Sequence, residues 1–245
     1  MESIAVFFQQ FEYSKTAGIA LFCFGLGFFF YFIISYWLRS RLYIIFKNVE
    51  KQTFYKYIFQ RILGFLFLGI FPAIVFYYTQ DESLSAYGIN INQLPISLLW
   101  ILILGSTVLI LNFFFAGSKK NLQQYPQIQL KNWTFSLFSL NAITWILYLF
   151  GYELLFRGIL LFSLYDAYGT GTAVILNTIL YSLVHIPKGQ RETLGAIPLG
   201  IILCLITIQT GSFFVAFAFH AIMAVSNDYF AIKYNPDMRI KLLKL

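Results

Sequence analysis

Long apolar runs separated by short loops are the feature that most constrains what this chain can fold into. A helix needs roughly 17–25 predominantly apolar residues to cross a bilayer. Runs of that kind follow one another from Thr16 almost to the C-terminus. In lipid, each backbone N–H and C=O must be paired within the structure, so the runs are read as helices and the expected fold is an all-α, polytopic transmembrane helix bundle. The composition agrees, since only 11% of the 245 residues are charged and 59% are hydrophobic, against about a quarter charged in a soluble domain. No internal repeat, low-complexity tract or linker breaks the chain, so residues 1–245 are expected to form a single membrane domain.

About seven spans fit the pattern. They cover approximately Thr16 to Leu38, Arg61 to Tyr78 with a kink at Pro72, Pro95 to Gly117, Ile143 to Leu164, Thr172 to Ile186, and Thr193 to Thr210. The seventh runs from a tight Thr210–Ser212 turn to near Phe230. Trp133 to about Ala142, salted with Thr134, Ser136, Ser139 and Asn141, reads as an interfacial stretch before the fourth span. Glu2, Glu12 and Lys15 lead into a first run too long for a signal h-region, with no small-residue cleavage site after it, so that run is expected to stay as a span.

The net charge of +7 could suggest nucleic acid, but its distribution does not. Arg39, Arg41, Lys47, Lys51 and Lys56 fill the first loop, Lys119, Lys120 and Lys131 the third, and Lys188 and Arg191 the fifth. The second loop holds Asp81 and Glu82 and no Lys or Arg. This alternation follows the positive-inside rule, with the N-terminus outside and the C-terminus cytoplasmic. The expected partner on this ground is the lipid bilayer, with no nucleic acid, and the expected setting is a bacterial cell membrane. Cys23 and Cys204 each lie inside an apolar span and read as small core residues.

Against this background a few ionisable residues stand out. Glu153 and Arg157, in the stretch YELLFRG, are four apart and share a helix face. An ionisable group at membrane depth is expensive and marks function unless it is a packing ion pair. The only two histidines, His185 in YSLVH and His220 in FAFHAIMAVSND, fall in two further spans. At about 1.5 Å rise per residue, the four groups can converge at similar depth. One buried histidine is most often a packing residue; four such groups at compatible depth point to a site. The set suits hydrolysis: a carboxylate or imidazole can take a proton from water, and an imidazole can donate to an oxyanion. His185 and His220 are also the pair that could bind a metal, zinc being suited to such ligands, with a metal-free glutamate mechanism as the alternative. The zincin motif HExxH is absent.

Two acids nearby have blander readings. Asp228 is expected to pair with Lys188 or Arg191. Glu192, in KGQRE, reads as a solvated loop charge unless that loop folds inward.

Taken together, YELLFRG, YSLVH and TGSFFVAFAFHA resemble the CAAX-protease and bacteriocin-processing (Abi) family of intramembrane endopeptidases. Motif order and spacing are kept over about Trp133 to Phe230, the expected catalytic core. The resemblance implies an endopeptidase cutting a membrane-associated peptide or protein, with Glu153, Arg157, His185 and His220 as catalytic residues. In that reading Glu153 and His185 activate water, Arg157 orients Glu153, and His220 binds metal or stabilises the oxyanion. Two positions depart from the family pattern. Tyr152 stands where its first glutamate usually lies, and Ala224 stands where an asparagine often follows the last histidine, with Asn227 too far along the helix to replace it. They open the alternative of a catalytically degenerate member acting as a membrane scaffold or bacteriocin self-immunity protein.

Overall fold

The computed structural model describes residues 14–241; Glu2, Glu12 and the end of the basic tail lie outside the described residues. Among those described, six helices are long and apolar enough to cross a membrane: α1 (Lys15–Ile45), α2 (Val49–Thr79), α3 (Leu94–Phe115), α4 (Phe135–Leu183), α5 (Gln190–Thr210) and α6 (Phe214–Tyr234). Their starts follow capping chemistry. Ser14, Asn48 and Thr134 each accept a hydrogen bond from the backbone N–H three residues on, satisfying donors that a first turn leaves unpaired.

The fourth helix is too long for one crossing, and its own contacts show how it is arranged. Asn177 donates to the Phe156 carbonyl at 2.7 Å, although the two would lie about 31 Å apart on a straight helix. The chain therefore doubles back, and it does so at Gly169, whose φ of +74° and ψ of 174° leave the helical region. Positive φ suits glycine, which has no Cβ to clash. The two antiparallel arms correspond to the fourth and fifth expected spans, so the bundle has about seven crossings in six helical runs.

This hairpin is the centre of the molecule. Leu154 to Leu161 are all buried, and they pack against α1, α2 and the second arm. Two π-helical stretches lie within the bundle, Phe65–Ile70 in α2 and Leu154–Leu160 in α4. Their helices meet where a Cβ placed on Gly69 would come within 2.7 Å of the Gly151 Cα. Only a glycine pair allows that backbone approach, as is common between membrane helices. A short parallel strand pair, β1 (Asn132–Thr134) and β2 (Arg239–Lys241), ties the tail to the start of α4.

Three expectations about boundaries need correction. The interfacial stretch is not a separate element. Thr134 caps α4, and the helix runs unbroken from Phe135 through Asn141, which is fully buried. The second helix begins at Val49 rather than near Arg61, and Arg61 lies buried within it, 3% exposed. The α5 helix starts at Gln190, which makes Glu192 a first-turn residue and not part of a loop.

Candidate active site

The site grows out of the π-helical turn in α4. Glu153 is the last residue before it and Arg157 lies within it, both fully buried. The Arg157 Nη1 stands 3.5 Å from Glu153 Oε2. π-Bulges often occur at functional sites because they re-aim side chains within a helix. On its other side the Arg157 guanidinium lies 4.1 Å from the centre of the Tyr181 ring, a cation–π arrangement away from water.

From α6, His220 brings its Nδ1 to 2.6 Å from Glu153 Oε1. Its Nε2 is 3.1 Å from the Tyr181 hydroxyl. From the end of the hairpin, His185 sets Nδ1 at 2.8 Å from the Tyr181 carbonyl. A carbonyl only accepts, so Nδ1 carries the proton there. With its proton on Nδ1, the neutral ring keeps an open lone pair on Nε2. Tyr181 is thus the hub: its ring faces Arg157, its hydroxyl meets His220, and its backbone holds His185.

The four expected residues therefore converge. Glu153 touches both Arg157 and His220, and Tyr181 links His220 to His185. In the sequence Tyr181 stands only as the first residue of the YSLVH motif. Its place one helical turn before His185 was the available signal.

A cavity of about 390 Å³ opens beside this chain of contacts, within the size range of ligand pockets. His185, His220, Tyr181 and Tyr152 line it, and Glu153 does not. Glu153 lies behind His220, so the carboxylate meets the cavity only through the imidazole. Tyr152 and Ala224, the two departures from the family pattern, both face the cavity.

Asp228 does not pair with Lys188 or Arg191. It is fully buried and accepts from Asn141 Nδ2 at 2.9 Å and Trp145 Nε1 at 2.8 Å. Arg61 completes this second polar cluster, donating to Asn141 Oδ1 at 2.7 Å and lying 3.9 Å from the Trp145 ring centre. A positive and a negative side chain from α2 and α6, bridged through α4, neutralise one another, as buried charges must. Lys188 instead approaches Glu192, at 4.0 Å on the exposed side.

The residues do not fit a metal held in the way first expected. Among the described residues no group of three or more His, Cys, Asp or Glu could hold a metal ion. Both His220 nitrogens are engaged by Glu153 and Tyr181, and Glu153 is committed to Arg157 and His220.

No curated protein and no solved structure matches the chain. Residues 133–226, which carry Glu153, Arg157, His185 and His220, match the family model described as type II CAAX prenyl endopeptidase Rce1-like.

Proposed function

We propose that the protein is an intramembrane endopeptidase that hydrolyses a peptide bond in a membrane-associated peptide or protein, and that residues 133–230 form its catalytic core within a single membrane domain. The observation that carries this reading is the linked set Glu153–His220–Tyr181–His185, ending on a ligand-sized cavity. Its division of labour differs from the one read in the sequence, because Glu153 does not reach the cavity.

His185 acts as the proton acceptor. Its Nδ1 is fixed on the Tyr181 carbonyl, so the Nε2 lone pair faces the cavity and takes a proton from water. The water oxygen bonds to the scissile carbonyl carbon, the C–N bond breaks, and the proton passes to the departing amine. His220 and the Tyr181 hydroxyl share a donor that can serve the oxyanion. Glu153 holds His220 in place from behind, and Arg157 holds Glu153; both are positioning residues. The alternation of basic and uncharged loops supports an N-terminus outside and a C-terminus in the cytoplasm.

The test is cleavage of a proteome-derived peptide library by the protein in proteoliposomes, read by mass spectrometry. Wild type should generate new termini, and Glu153→Gln and His220→Ala should each slow their appearance by at least about tenfold, at the lower edge of what oriented donors contribute. Equal rates for all three would sink the reading.

Tyr152 and Ala224 favour a second reading. Both face the cavity at positions where the family pattern has polar groups, so the cavity also reads as a binding chamber of a membrane scaffold or self-immunity protein. Under that reading wild type cleaves nothing, while Tyr152→Glu would gain cleavage.

A further inference from the structure

We infer that Glu192 is the carboxylate that works with His185 in this cavity, in the place that Tyr152 leaves without an acid. The inference rests on the endopeptidase reading above and adds a catalytic residue to it.

Three observations carry it. First, Glu192 is the one acidic side chain among the residues lining the 390 Å³ cavity. Glu153 and Asp228 are fully buried and serve other partners. Second, its direction is set by the helix. Glu192, Gly195, Ala196 and Leu199 of α5 all line the cavity, and their spacing of i, i+3, i+4 and i+7 defines one helix face. The carboxylate therefore belongs to the wall of the chamber. Third, it is held without being used up. The Tyr125 hydroxyl donates to Oε1 at 3.2 Å, while Oε2 has only a loose approach from Lys188 at 4.0 Å. Burial and the Glu192 carboxylate itself push the Tyr125 phenol up, so it remains a protonated donor.

Position supports the pairing with His185. The hairpin ends at Leu183, His185 precedes the short Ile186–Lys188 turn, and α5 begins at Gln190. The two side chains enter the same cavity from either side of that turn. In the hydrolytic step the attacking water's proton goes to the Glu192–His185 pair while its oxygen bonds to the carbonyl carbon. The same proton is returned to the leaving amine as the C–N bond breaks, so the pair ends as it began. A neighbouring second chamber of about 460 Å³ shares Tyr125, Lys188 and Glu192, which gives this carboxylate a route to water.

The experiment measures kcat and KM for the best-cleaved library peptide with wild type, Glu192→Gln and Glu192→Asp in proteoliposomes, alongside thermal unfolding. We expect Glu192→Gln to lower kcat at least about 100-fold, in keeping with general acid–base catalysis, with KM and the unfolding midpoint near wild type. Glu192→Asp should recover a substantial part of the loss, and a merely structural ion pair with Lys188 would instead move the unfolding midpoint of Glu192→Gln. A Glu192→Gln rate within twofold of wild type, with His185→Ala inactive, would overturn the role of Glu192 and leave the endopeptidase reading standing. Absence of cleavage by wild type across the library would overturn both.

Discussion

The first three helices and the α4 hairpin are all apolar enough to cross a membrane, yet they have opposite surroundings. In α1, α2 and α3 only 28%, 28% and 17% of the most apolar window is buried, whereas 78% is buried in α4. The difference follows from what lipid does to sequence. Apolar side chains are equally content against acyl chains or protein, so hydrophobicity alone does not send a membrane helix inward. Polar and ionisable groups do, because they are costly in hydrocarbon. The α4 run carries Asn141, Thr144, Glu153, Arg157 and Asn177, all buried; α3, with mainly apolar residues, forms part of the outer jacket. The interior of this bundle is organised by its polar residues.

That comparison can be broken at several points. The largest effect should come from Glu153→Leu, which leaves the buried Arg157 uncompensated. It should cost about 3–5 kcal/mol of stability, and a Glu153→Leu/Arg157→Leu double variant should recover most of it. Denaturant unfolding in detergent measures both; a double variant no better than the single one would mean the two charges are not coupled. Asp228→Ala comes next. It strips the acceptor from Asn141 and Trp145 and the counter-charge from Arg61, at about 1–3 kcal/mol. Gly69→Ala should cost a similar amount, since its Cβ would press within 2.7 Å of the Gly151 backbone and overpacking of this kind typically costs about 1–3 kcal/mol. The smallest effect belongs to the jacket. Leu102→Ala, at a side chain 68% exposed, should stay within about 0.5 kcal/mol of wild type. A large loss there would show that α3 packs against more than lipid.

Much of the architecture could be read before the structure. The helical class, the number of crossings and the Gly211 turn between the last two helices follow from run length and turn chemistry. Glu153, Arg157, His185 and His220 were recognisable because an ionisable residue is conspicuous in an apolar run. Other features depended on long-range partners. Asn141 reads as interfacial polarity in the sequence because nothing local reveals that Arg61 and Asp228 converge on it. The orientation of Glu153 towards His220 rather than towards the cavity depends on the π-helical turn, which has no sequence signature. Glu192 looked like a loop charge because Pro187 and Gly189 suggest a long break, whereas α5 starts at Gln190 and puts it on a helix face. Tyr181 is among the largest fully buried side chains, and its spacing of one helical turn from His185 is the signal of it that the sequence holds.

The most direct test of the central claim compares peptide cleavage by wild type, His185→Ala and Leu102→Ala in the same proteoliposomes. The account predicts that the His185→Ala rate falls at least about 100-fold, as loss of a general base should produce, while Leu102→Ala cleaves like wild type. Indistinguishable rates for all three proteins would contradict it.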